Sequence, residues 1–260
     1  MTAQSTLTGI TACLDAFLPV SLDTLNSRAM LLNRVDRKYV FSLSSLVQIL
    51  DQCKKDYAVL EVNGVRVSGY QTLYFDTADL QFYFDHHSGR GNRYKIRKRI
   101  YEASAQTYLE VKFRTNKSRT DKQRMLINTD NTTLDGADEQ HFIMQQTGLD
   151  AGRLKQTMMV HYQRITLLHK TNAEKVTFDL CPDFRNQLVG RNFQHLVIAE
   201  AKTERGGKMN FSECMHNRHT PEGSLSKYCL GMIALDENIK HNNFKQLYRH
   251  INHINKNGNI

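Results

Sequence analysis

Residues 93–101 read Arg-Tyr-Lys-Ile-Arg-Lys-Arg-Ile-Tyr, an alternation of period two. Successive side chains of an extended chain point to opposite faces. Arg93, Lys95, Arg97, Arg99 and Tyr101 therefore share one face, and Tyr94, Ile96, Lys98 and Ile100 share the other. The pattern recurs in 107–114, where Tyr108, Glu110, Lys112 and Arg114 oppose Thr107, Leu109, Val111 and Phe113. Lys175, Thr177 and Asp179 oppose Val176, Phe178 and Leu180, and Glu200 and Lys202 oppose Val197, Ala199 and Ala201. Nearer the start, Arg34, Asp36 and Lys38 fall on one face.

The same criterion places strands at 34–41, 70–76, 93–101, 107–114, 121–128, 159–168, 174–180 and 195–203. They do not alternate regularly with helices, which disfavours a doubly wound parallel sheet and favours antiparallel pairing. Helices are expected over 12–26, over 43–53 behind a Ser42 N-cap, over 137–147 before a Gly148 stop, and in the polar segment from Leu235 onward. With no linker and no internal repeat, residues 1–260 are expected to form a single domain. Its core spans about 30–235, and a helical tail covers 236–260.

An ordinary antiparallel sheet would turn its charged face to water. A solvated face gives no reason for the repeated spacing Asp36-x-Lys38, Glu110-x-Lys112 and Glu200-x-Lys202. Turning every charged face inward satisfies both faces at once, because the apolar faces then bury against helices. The expected fold is thus α+β, a closed antiparallel eight-stranded β-barrel surrounded by helices, near the size at which a barrel holds a small ligand. A cationic interior needs an anion. Phosphate chains meet that need, with Arg gripping oxygens bidentately and Lys acting as a point charge. Carboxylates among these cations suit a divalent ion that bridges phosphate oxygens.

The net charge of +9 in 260 residues agrees with an anionic partner. No apolar run is long enough to span a membrane, and the scattered cysteines fit a reducing compartment, so a cytoplasmic location is expected. Cys214-x-His216-x-x-His219 lacks a fourth metal ligand, and Gly89-Arg90-Gly91-Asn92 reads as a loop rather than a phosphate-binding P-loop. Carboxylates interleaved at fixed spacing make nucleic acid an unfavoured partner.

Arg37-Lys38-Tyr39, Tyr74-Phe75-Asp76-Thr77, Lys95 through Tyr101, Leu109-Glu110-Val111-Lys112, Glu200-Ala201-Lys202 and Ser226-Lys227-Tyr228 occur in this order. Together they resemble the VTC (vacuolar transporter chaperone) polyphosphate polymerase domain, among the triphosphate tunnel metalloenzymes. The resemblance implies transfer of the γ-phosphoryl group of ATP to a growing inorganic polyphosphate chain, with Mn²⁺ or Mg²⁺. It implies catalytic roles for Lys38, Arg97, Arg99, Lys112, Arg164 and Lys227, and substrate contacts from Lys95, Lys122, Arg124, Lys175, Lys202 and Ser226. Glu200 would be the principal metal ligand and Glu110 a second. The family often works beside membrane partners, which would place the chain peripherally at the inner face of a membrane. Two departures stand out: Arg34 occupies the place of the superfamily's first carboxylate, and Lys175 stands where an Arg is expected. The alternatives are a triphosphatase and a non-catalytic binder of polyphosphate or RNA.

Overall fold

The structure, a computed structural model, describes residues 3–28, 34–117, 119–128, 132–224 and 226–258. The chain runs α1 (Ala3–Leu14), β1 (Pro19–Val20), α2 (Leu22–Arg28), β2 (Arg34–Ser42), α3 (Leu43–Cys53), β3 (Tyr57–Leu60), β4 (Ser68–Thr77) and α4 (Gln81–His87). It continues through β5 (Arg93–Tyr101), β6 (Gln106–Arg114), β7 (Thr120–Ile127), α5 (Ala137–Thr147), β8 (Leu154–His169), β9 (Lys175–Arg185), β10 (Gly190–Asn192) and β11 (Leu196–Glu204). Helices α6 (Asn210–Asn217), α7 (Lys227–Leu235) and α8 (Lys245–Asn257) follow.

The eight strands expected from alternation form one path, β2-β11-β9-β8-β4-β5-β6-β7, with every neighbour antiparallel. The expected closed barrel is corrected here. Among the described residues β2 and β7 do not pair, so the sheet is open, and the edge of β2 instead accepts a bond from Gly223 N to Lys38 O at 2.8 Å. The sheet nevertheless curls strongly. Lys112 on β6 lies five strands from β11, which in a flat sheet is about 24 Å. Yet Glu200 and Lys202 of β11 and Lys38 of β2 all lie close enough to shift the Lys112 ammonium. An open sheet rolled this far makes a tunnel with one unzipped seam.

The apolar faces bury outward against helices. Leu43, Leu46, Ile49 and Leu50 of α3 pack with Phe178, Leu180, Val197 and Ala199. Ile143 of α5 packs on Ile96, Leu109 and Val111. The inner face is not charged throughout, however. Val40, Ile198, Val160 and Met158 continue the faces of Lys38, Glu200 and Tyr162, and they meet Tyr228, Ile233, Ile251 and Ile254 of α7 and α8. One stretch of the interior is therefore filled by helices rather than by water. Gly231 makes the fit possible, since a Cβ there would come 2.5 Å from Met158 Sδ.

Two sequence expectations change. The helix read over 12–26 is two helices separated by β1, whose Pro19 lacks the amide that a helix interior requires. The polar C-terminal helix, α8, buries Tyr248, Ile251 and Ile254 on one face. No described helix is long and apolar enough to cross a membrane.

Candidate functional site

The alternation in β5 sorts its cations into two environments. Arg97 and Arg99 point into the tunnel. Lys98, on the opposite face, is buried to 1% exposure beneath α5, its Nζ 2.8 Å from Glu139 Oε1 and donating to Thr133 O.

Register sets the first cluster. Arg97 faces Glu110 across β5 and β6, and Glu110 faces Arg124 across β6 and β7. Glu110, only 1% exposed, accepts from Arg97 Nε at 2.6 Å and from Lys122 Nζ at 2.5 Å, and Arg99 Nη1 lies 3.9 Å away. Burial alone would raise its pKa, but Arg97, Arg99 and Lys122 outweigh burial and hold it far below the carboxylate range. Arg124 instead lies over the Tyr108 ring at 4.7 Å.

A second cluster forms on β8, β9 and α7. Asp179 receives both Arg164 Nε and Arg164 Nη2, at 2.5 and 2.8 Å, and also pairs with Lys227 at the first turn of α7. The Arg164 guanidinium stacks 4.8 Å from the Tyr70 ring, and Lys227 Nζ lies 4.8 Å from the Tyr162 ring. The Tyr162 hydroxyl is buried with no hydrogen-bond partner among the described residues. Burial would raise that phenol's pKa, but Arg99 and Arg164 outweigh it and the shift is downward.

The third cluster sits on β2 and β11, where Glu200 faces Lys38 and Lys202 faces Asp36. Lys202 Nζ bridges Asp36 Oδ2 at 3.0 Å and Glu200 Oε1 at 2.9 Å, and Lys38 Nζ reaches Glu200 at 3.5 Å. Burial opposes ionisation of Glu200, yet Lys202 and Lys38 hold its pKa well below the ordinary value. Lys175 faces Lys202 from β9.

Lys95 and Lys112 join the clusters. Lys95 donates to Ser226 Oγ at 3.0 Å, and burial, with Lys112 and Lys38 nearby, pushes it down to about 7. Burial and Arg97 push Lys112 down to about 8, and burial also lowers Lys122 to about 8. The structure thus gathers the expected strand residues on the inner face, with Arg124 held there against Tyr108, while Ser226 and Lys227 reach the site from the start of α7.

Sequence reasoning gave no role to Asp179, Tyr162 or Asp76. Asp179 and Tyr162 carry the alternation signal, since Tyr162 lies two residues from Arg164 and Asp179 four from Lys175, each on the same face of its strand. Asp76 is structural. It accepts from Phe82 N and Tyr83 N at 2.9 Å and from Tyr228 Oη at 2.5 Å, so it caps α4 and fixes the helix that carries Lys227. It ties the Tyr-Phe-Asp-Thr run to the Ser-Lys-Tyr run.

The fold has a counterpart among solved structures at a TM-score above one half, and others resemble it more loosely. A candidate adenylate cyclase from Bacillus halodurans superposes with a TM-score of 0.51 at 13% identity, over 75% of this chain and 94% of its own. A candidate adenylyl cyclase from Hippeastrum with a dominant triphosphatase activity gives 0.46 at 13% identity, over 76% and 95%. One from Vibrio parahaemolyticus gives 0.46 at 11% identity, over 76% and 97%. No curated protein matches the sequence. The family model of the VTC domain matches residues 33–236, most of the chain and every strand of the tunnel wall, and the protein belongs to the VTC domain family.

Proposed function

We propose that the protein is a polyphosphate polymerase, which moves the γ-phosphoryl group of ATP onto the end of a growing inorganic polyphosphate chain within the tunnel. The observation that carries this reading is the convergence of Lys38, Lys95, Arg97, Arg99, Lys112, Arg164 and Lys227 on the inside of a curled sheet in a VTC-domain chain. Phosphoryl transfer between phosphates depends on alignment and charge neutralisation, because the attacking oxygen is already ionised. Arg97 and Arg99 would take the equatorial oxygens of the transferred group, with Lys38, Lys112 and Lys227 placing the donor and acceptor phosphates. Lys95, Lys122, Lys175, Lys202 and Ser226 would add contacts along the chain.

Among the described residues no group of three or more His, Cys, Asp or Glu converges as a metal cage. The donor set still fits a hard divalent ion that arrives with its substrate, since Mg²⁺-type ions use one or two carboxylates and complete their shell with phosphate oxygens and water. Glu200 would hold Mn²⁺ or Mg²⁺, whose charge would neutralise the bridging phosphate oxygens. Glu110 is left out of this role, because Arg97 and Lys122 already occupy both its oxygens.

The test is incubation with ATP and Mn²⁺, with products resolved on a gel. A ladder of long polyphosphate supports the reading, and release of orthophosphate alone refutes it. That second outcome would mark a triphosphatase, which the seam between β2 and β7, not paired with each other among the described residues, favours by leaving water a path to the interior.

A further inference from the structure

Opposite charges meet across most of the inner wall, but at one end like charges face each other. Arg93 opposes Arg114, Lys95 opposes Lys112, and Lys112 opposes Lys122. Like charges directly opposite on a sheet destabilise it. Among the described residues no carboxylate forms an ion pair with Arg93, Lys95, Lys112, Arg114, Lys117 or Arg119. The field there is strong enough to act on a neighbour. Burial, Lys95 and Arg93 together push His86 on α4 down to about 2.

This end is also rigidly built. The loop before β5 and the turn between β6 and β7 lock together, with Asn116 N donating to Asn92 Oδ1 at 3.0 Å. A Cβ on Gly91 would come 2.6 Å from Asn116 Cα, so only glycine allows the approach. Arg114, Lys117 and Arg119 are exposed along this platform, leading outward from Lys95 and Lys112.

We propose that Arg93, Arg114, Lys117 and Arg119 at the β5–β6–β7 end form a second anion site, a track leading outward from the reaction centre that takes a linear phosphate chain longer than three units. It rests on the tunnel reading above and gives that tunnel a direction, with the chain leaving past Arg93 and Arg114. A phosphate chain fits better than single-stranded nucleic acid because base stacking needs exposed aromatic faces. The rings nearest this end, Tyr94 and Phe113, pack on each other at 4.6 Å and turn to the opposite, core-facing side.

The experiment measures binding of tripolyphosphate, long-chain inorganic polyphosphate and a single-stranded oligonucleotide to the wild type and to an Arg93→Gln/Arg114→Gln variant. The variant should bind long-chain polyphosphate at least about tenfold more weakly, and its salt slope should fall by about 2 for the two cations removed. Tripolyphosphate affinity should not change. The melting temperature should equal or exceed that of the wild type, since repulsion has been removed. Unchanged long-chain binding beside intact tripolyphosphate binding overturns the track and leaves the tunnel reading standing. Loss of long-chain binding in the variant, with no tripolyphosphate binding even by the wild type, supports the track and refutes the tunnel. Oligonucleotide binding that falls in step with polyphosphate binding overturns the assignment to a phosphate chain.

Discussion

Replacing Glu110 by Gln removes the counter-charge of Arg97, Lys122 and Arg99 while nearly preserving shape. Glu110 is 1% exposed, with its cations at 2.6, 2.5 and 3.9 Å. Breaking a buried pair by neutralising one partner typically costs about 3–5 kcal/mol. At about 2–4 °C per kcal/mol for a chain of this size, the empty protein should melt roughly 6–20 °C lower. The freed cations should then prefer an external anion. At one fixed tripolyphosphate concentration the variant's melting temperature should therefore rise more than the wild type's, each tenfold gain in affinity adding about 1.4 kcal/mol. Glu139→Gln is the matched control, because it removes the buried carboxylate beside Lys98 on the other face of the same strand, beneath α5. It should destabilise comparably without any enlarged response to tripolyphosphate. The assay is differential scanning fluorimetry with and without ligand. An E110Q shift no larger than the wild type's, or an equal enlargement in E139Q, refutes the assignment of the two faces.

Binding of long-chain polyphosphate at pH 8, where the internal phosphates that make up nearly all of the ligand are fully ionised, should take up protons. Lys95 with a pKa near 7 is then mostly neutral, Lys112 and Lys122 near 8 are half-charged, and an adjacent anion raises all three. Titration calorimetry in buffers of different ionisation enthalpy reads the uptake, and a buffer-independent heat counts against it. Glu200→Gln should raise the Mn²⁺ concentration needed for half-maximal turnover at least about tenfold. Turnover with an unaltered metal dependence would remove Glu200 from the metal site. Asp76→Ala leaves the Phe82 and Tyr83 amides and the Tyr228 hydroxyl without their acceptor. It should cost about 3 kcal/mol in urea unfolding, and an unchanged midpoint would show that other groups hold α4 and α7.

Alternation was enough to find the tunnel wall, because a strand's two faces are written two residues apart. It located all eight strands of the main path and sorted Arg97 and Arg99 from Ile96 and Ile100. Closure was not legible, since it depends on the pairing of β2 with β7, strands at opposite ends of the path. Lys98 broke the apolar face without explanation because its partner, Glu139, comes from a helix formed much later in the chain. Helix α7 escaped because Lys-Tyr-Cys-Leu-Gly-Met-Ile-Ala-Leu is apolar almost throughout and buried on several sides, so it shows no periodic stripe. Ser42 does stand at the N-terminus of α3, but its hydroxyl pairs with Ser44 and Ser45 rather than with a backbone amide. Gly148 ends α5 in the left-handed conformation, as its position implied.

Glu110 and Asp179, each already neutralising cations inside the wall, make the tunnel behave like a column of ion-exchange resin. A guest does not fall into a vacant positive hole. It must outcompete fixed carboxylates, and the advantage in that exchange grows with each further charge the guest brings on one backbone. Orthophosphate, with little valence to offer, would wash out readily. On the proposed polymerase reading a lengthening chain would be held more firmly at every added unit, so the selectivity that admits the substrate would also delay release of the product, and such an enzyme would need an outlet for its chain.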